Sequence, residues 1–243
     1  TVEGLASGTT SISTADIDNL AVTSNNLNKD TSVTAEQVSL NDVDTDVVDL
    51  DSAQFKELDL QYSTADQTLQ GTAQQANGQG LSSSVATVED LNIQDLAIRA
   101  NNHQLSANSS SLDAQGVSSQ GLSVAAVETA NLQTQADWGE ELKINASAAE
   151  LTAADLTHSD HSLSNVSGSA INVGYDGAQS SFQTNAKELD YQGYSGQTGH
   201  SATGQAQDFT FASNGHQNAF NVSASSLQVT DTSIAGHQAD ELS

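Results

Sequence analysis

An apolar anchor returns at a nearly fixed interval along most of this chain, and that interval restricts the fold more than any other feature. The recurring unit is a small residue, two polar residues, an apolar anchor, one polar residue and a second apolar or small residue. It reads Ala148-Ala-Glu-Leu151-Thr-Ala153, Ala186-Lys-Glu-Leu189-Asp-Tyr191, Ala206-Gln-Asp-Phe209-Thr-Phe211 and Ala224-Ser-Ser-Leu227-Gln-Val229, with Ala35…Leu40, Val88…Ile93 and Ser109…Ala114 as earlier copies. With fainter copies included, the anchors are Ile17, Val38, Leu58, Leu91, Leu112, Leu132, Leu151, Ile171, Leu189, Phe209 and Leu227. Nine of the ten intervals lie between 18 and 21 residues, and the exception, 33 residues, contains Gly71, Gly78 and Gly80. A fixed period of this kind is the signature of a repeat architecture.

Around each anchor the apolar residues are two apart, the period of a strand rather than a helix. Further apolar residues follow, as Leu91/Ile93 leads to Leu96/Ile98 and Leu105. Three short strands per ~20 residues, separated by Gly, Asn, Asp and Ser, describe one coil of a β-solenoid. The expectation is therefore an all-β chain. It would form a single β-solenoid domain over 1–243 of 11–12 coils, roughly 55 Å long at the inter-strand spacing. An irregular coil or inserted loop falls at about 59–90, and one capping helix is admitted over 124–142. The 243 residues contain no Pro, as a backbone that donates a ladder hydrogen bond at nearly every residue requires.

Charge excludes several partners. The chain carries 31 Asp+Glu against 5 Lys+Arg, a formal net charge of −26. Five scattered cations make no phosphate-binding stripe, so nucleic acid is not expected. An anionic membrane surface would repel the chain, and no apolar run reaches the ~20 residues of a membrane helix. With no Cys, thiolate metal sites and a Cys nucleophile are excluded. The chain starts at Thr1, which fits either a removed leader or excision from a longer chain.

Candidate chemistry is sparse. Asp42, Asp44 and Asp46 alternate with Val43, Thr45 and Val47. Closely spaced carboxylates suit calcium, but Val47 and Ala53 stand where an EF-hand needs Gly and Glu, and a strand with Val inside and Asp outside explains the run. Weak surface calcium binding is the only metal expectation. His158 and His161 are three apart; the remaining His103, His200, His216 and His237 form no ligand motif. Glu140, Glu141 and Asp155 lack a basic neighbour for polysaccharide cleavage, because Arg99, Lys29, Lys56, Lys143 and Lys187 are far apart in coil number. No catalytic, cofactor or metal residue is assigned. Asn108, Asn145, Asn165 and Asn221 open glycosylation sequons, and recurrence of the last three at one repeat position favours a stacked turn ladder instead. Thr230-Asp-Thr232 is an isolated Thr-x-Thr, which an ice-binding face would repeat on every coil.

The 144–171 stretch, INASAAELTAADLTHSDHSLSNVSGSAI, resembles the β-helical repeats of secreted bacterial adhesins of the filamentous-haemagglutinin type. The Pro-free, Ser/Asn/Gln/Gly-rich composition is similar to that of biofilm amyloid-like fibre subunits. The resemblance implies a secreted, extracellular or cell-surface protein that acts structurally, as a fibre, biofilm-matrix or adhesion subunit, with no catalysis. Self-association into filaments end to end is the implied partnership, with no membrane insertion and with divalent cations or surface glycans as candidate ligands. The alternatives are a monomeric ice-binding or carbohydrate-binding solenoid and a polysaccharide-cleaving β-helix.

Overall fold

The computed structural model describes residues 1–25, 30–197, 199–215, 219–234 and 237–242. Sixteen strands follow one another: β1 (Val2–Ser7), β2 (Thr10–Asp18), β3 (Ala21–Asn25), β4 (Asp30–Asp44), β5 (Val48–Ser63), β6 (Thr68–Ser83), β7 (Thr87–Ala100), β8 (Gln104–Ser119), β9 (Leu122–Asp137), β10 (Lys143–His158), β11 (His161–Asp176), β12 (Ser181–Gly196), β13 (Gly199–Asn214), β14 (Ala219–Ser223), β15 (Ser226–Ile234) and β16 (His237–Leu242). Each pairs antiparallel with its neighbours in one sheet, in the order β1-β2-β4-β5 through β13-β15-β16. β3 continues the line of β2 along β4, and β14 and β15 share β13 in the same way. The sheet is neither curled nor closed.

This overturns the solenoid. Antiparallel pairing of consecutive strands requires a reversal at every turn, whereas a coil stacks its strands parallel. The ~20-residue interval is one long strand of 14–16 residues plus its turn, not three short strands. The resemblance to filamentous-haemagglutinin repeats and biofilm fibre subunits fails with it, because the shared period has a different cause. The 33-residue interval holds β6, whose inward positions are Gly71, Ala73, Ala76 and Gly78. None of these four is large enough to read as an anchor, and the larger Leu69 and Leu81 stand toward the ends of the strand. The segment 124–142 is β9 and its following turn, not a helix.

Register is straight. Ala148 faces Ile171, Ala186 faces Phe209 and Ala35 faces Leu58, and the partners shift by no residue along any pair. A barrel needs a stagger between strands; a sheet with straight rows stays open. Turns are short. At Gln120-Gly121 both residues are left-handed, with φ of 46° and 87°, the pattern of a tight hairpin turn.

Among the described residues no second layer covers the sheet. Every element contacts only its hydrogen-bonded neighbours among the described residues. A compact chain of this mass exposes about 10,300 Å², whereas this one exposes 14681 Å². Among the described residues no large side chain is fully buried; the most buried apolar residues are small ones such as Ala15 and Ala73, at 2% and 3% exposure.

Candidate functional site: an uncovered apolar face

The site is a whole face of the sheet. Along β10 the inward residues are Ile144, Ala146, Ala148, Leu151, Ala153 and Leu156. Simple alternation accounts for the first three. After Ala148 and again after Ala153 two residues intervene instead of one. At each of these two places a row of left-handed residues crosses the sheet, on alternate strands. One row holds Gly4, Asp42, Gly80, Gly116, Asp155, Gly193 and Asp231; the other holds Asn19, Glu57, Asp95, Asn131, Ala170 and Asp208. Their φ values run from 47° to 66°, a region in which Gly, Asn and Asp are favoured over other residues. Register places each opposite an extended residue of the next strand, as Gly193 stands opposite Ser164.

A left-handed residue inside a strand resets the alternation and kinks the chain. Side chains on either side of it then return to one face. A Cβ on Gly168 would lie 2.6 Å from Ile171 Cδ1, across the left-handed Ala170. Tyr191, opposite Gly204, reaches past it to Ser201, with 2.8 Å between the hydroxyls. Gly78 looks toward Leu50 across the other row in the same way. Each kink therefore turns the strand toward the apolar side.

Followed through the register, the five rows through Ala146, Ala148, Leu151, Ala153 and Leu156 cross the sheet with no charged, amide or imidazole side chain among the described residues. Large and small residues alternate between paired strands: Ala35 with Leu58, Ala73 with Leu96, Ala148 with Ile171, Ala186 with Phe209. The large partner leans over the small one, which is why isolated alanines are buried in a single layer. A sixth row, through Tyr62, Leu105, Ile144, Tyr175 and Phe182, forms the margin of the face.

The opposite face carries the polar groups. Side chains bridge neighbouring strands there: Asn172 Nδ2 donates to Asn185 Oδ1 at 3.0 Å, Gln79 Nε2 to Asp90 Oδ1 at 3.0 Å and Asn41 Nδ2 to Thr14 Oγ1 at 2.8 Å. A shallow groove of about 710 Å³ runs over this face, between rows that include Asn77, Asn92, Asp113, Gln79 and Gln115. Among the described residues no three His, Asp or Glu converge as a metal site.

The residues singled out in the sequence do not converge on a site. Asp42 and Asp44 end β4, but residues 45–47 are a turn, where Thr45 Oγ1 accepts from the Val48 amide at 2.9 Å. The run 41–51 is thus a hairpin rather than one strand. Asp44 faces Asp49, and the hydrogen bond between their carboxyls, with the repulsion of Asp49 and Asp46, raises the Asp44 pKa. His158 and His161 face each other across a turn, and His161 Nδ1 lies 3.0 Å from the Tyr194 hydroxyl. Glu140 and Glu141 sit in the turn after β9, while Asp155 is a left-handed residue of β10. Lys143 pairs with Asp176 at 3.8 Å; Arg99, Lys56 and Lys187 lie on β7, β5 and β12. Lys29 and His216 lie outside the described residues. Asn108, Asn145, Asn165 and Asn221 are strand residues of β8, β10, β11 and β14, not a turn ladder. Thr230 pairs with Thr203 on the polar side, 2.7 Å between hydroxyls. The face itself was not assigned from the sequence. Its signal is the left-handed set, Gly, Asn or Asp at all positions but Glu57 and Ala170, whose positions in either row recur every 36–39 residues.

No family model matches the chain, and neither a curated protein nor a solved structure matches it. The fibre, matrix and adhesion reading is withdrawn, since it rested on stacked coils and the sheet has none. The ice-binding, carbohydrate-binding and polysaccharide-cleaving alternatives presupposed the same solenoid. Self-association into filaments is withdrawn as well. The sheet lacks fibre stacking geometry, and its terminal strands β1 and β16 have 6 residues each against 16 in the interior, a length that blunts edge pairing.

Proposed function

We propose that this chain is a non-catalytic lipid-holding protein: its five inner apolar rows take the acyl chains of lipids while its acidic face stays in water. One observation carries the reading, the uncovered face without a charged or amide side chain across β2–β15. Soluble monomers rarely leave an apolar patch of more than a few hundred Å² uncovered, and larger patches mark binding surfaces. The occupant follows from the lining. Leu, Val, Ile and Ala dominate the inner rows, which suits flexible aliphatic chains better than planar rings. The rows run straight across the strands for roughly 60 Å at the inter-strand spacing, so a chain lying along them meets no charged or amide side chain, only isolated hydroxyls such as those of Ser109, Thr129 and Thr184. Burying such chains follows apolar area, at about 25 cal/mol per Å².

The test is titration with a fluorescent fatty acid in detergent-free buffer. The wild-type protein should bind it saturably. Leu151→Asp, on an inner row, should weaken binding at least tenfold, and Ser147→Asp, four residues away on the polar side, should not. Absence of binding by the wild type, or an equal loss in both variants, would refute the reading.

A further inference from the structure

The two turn-bearing margins of the sheet differ. On one, bordered by the turns 64–67, 101–103, 138–142 and 177–180, the outermost row of the apolar face presents large exposed side chains: Tyr62, Leu105, Ile144, Tyr175 and Phe182, with Trp138 in the adjoining turn. On the other, among the described residues, the exposed large apolar side chains in and beside the interior turns are the aliphatic Val47, Val85 and Leu122. Trp138, the only Trp of the chain, is fixed in place. Its indole N–H donates to the Asn102 carbonyl at 3.1 Å and its backbone N–H to the His103 carbonyl at 2.9 Å, while 45% of the residue stays exposed.

We infer that the aromatic margin docks on a zwitterionic lipid surface of the phosphatidylcholine type, from which acyl chains pass onto the inner rows; the inference rests on the lipid-holding reading. Three features argue for this occupant. Trp and Tyr have an apolar body and a polar tip and settle at the level of lipid headgroups. The margin is continuous with the inner rows, so a chain leaving the bilayer there stays among apolar side chains. Its charge selects the headgroup. Asp66, Asp137, Glu140, Glu141 and Asp176 line it, and the Lys143 ammonium is paired with Asp176. Anionic lipid is repelled, and a headgroup without net charge is not.

The experiment is vesicle flotation of the full chain, with Trp138 emission read alongside. Phosphatidylcholine vesicles should carry the protein upward and shift the emission to the blue; vesicles rich in phosphatidylglycerol should carry less. The triple variant Tyr62→Ser/Tyr175→Ser/Phe182→Ser should float at least tenfold more weakly and still bind the fluorescent fatty acid in solution, which also shows that it folds. Val47→Ser/Val85→Ser, at the other margin, should float as the wild type does. Three outcomes overturn the proposal: undiminished flotation of the triple variant, preference for phosphatidylglycerol, or a blue shift that depends on protein concentration without vesicles, which would make a second copy the occupant. Fatty-acid binding without flotation removes the margin proposal alone. Margin-dependent flotation without fatty-acid binding removes the holding function and leaves the docking.

Discussion

β6 and β12 occupy equivalent places in the sheet, in the same direction and register, yet their apolar positions differ greatly in volume. β6 offers Leu69, Gly71, Ala73, Ala76, Gly78 and Leu81; β12 offers Phe182, Thr184, Ala186, Leu189, Tyr191 and Tyr194. In a two-layer protein such a change would need a matching change in the opposite layer. Here the compensation is lateral. Leu60 and Ile98 lean over Gly71 from both flanking strands, and Tyr191 of β12 lies over Gly204 of β13. Volume is therefore balanced strand against strand within one layer, and the top of the face is left free.

The sharpest way to break this comparison is to add a methyl group at matched glycines. A Cβ on Gly204 would lie 2.0 Å from the Tyr191 ring, whereas one on Gly78 would make ordinary contacts, with Leu50 Cδ1 at 3.4 Å and with Leu91 Cβ and the Ser52 carbonyl at 3.9 Å. Gly204→Ala should destabilise by about 1–3 kcal/mol, the usual cost of overpacking. Gly78→Ala should be neutral or stabilise by up to about 1 kcal/mol by removing glycine freedom. Chemical denaturation of both variants measures the difference, and equal midpoints would defeat lateral packing. A double-mutant cycle sharpens it. In a Tyr191→Ala background, Gly204→Ala should lose most of its cost, giving a coupling of about 1 kcal/mol or more.

A smaller effect is expected at the kinks. Ala170 is left-handed at φ 48°, where a Cβ costs roughly 1–2 kcal/mol. Ala170→Gly should therefore raise the unfolding midpoint slightly, while Ala149→Gly, opposite it on β10, should lower it. A fall at both positions would mean that the left-handed row does not govern the strand there.

The smallest effect is a pH response of the aromatic margin. Hydrogen bonds from the Gly139 amide, at 3.0 Å, and the Gln104 side chain, at 2.9 Å, hold the Asp137 pKa below the ordinary carboxylate value. The stabilisation they give is present above the unfolded pKa and is lost as pH falls through the lowered folded value. Trp138 emission should thus change at a pH below the usual Asp range. Asp137→Asn should abolish that acid step, and a step that survives the substitution belongs to another group.

Much of this fold was legible before its geometry. The strand period, the ~20-residue interval and the absence of Pro all mark extended pairing along the chain, and each corresponds to a feature of the sheet. What misled was the two-residue gap in Ala148-Ala-Glu-Leu151. A gap of that kind reads as the corner of a coil, and a kink within one long strand produces the same gap. A three-strand coil and a 16-residue strand with its turn have nearly equal lengths, so the interval could not separate them. The distinguishing mark lay outside the apolar motif: Gly4, Asp42, Gly80 and Gly116 recur at twice the anchor interval, because only alternate strands of an antiparallel sheet point the same way. The apolar face was less legible still. An alternating strand states that one side is apolar, but whether anything covers that side is a property of the whole sheet.

The straight register also bears on how such a molecule changes size. Duplicating one hairpin, 38 residues in most of the chain, would lengthen the molecule by roughly 10 Å at the inter-strand spacing and leave every existing neighbour relation intact except at the point of insertion. Nothing in the cross-section would have to be redesigned. Its span is a count of hairpins, so duplication and deletion of gene segments can set the length as notches set a ruler.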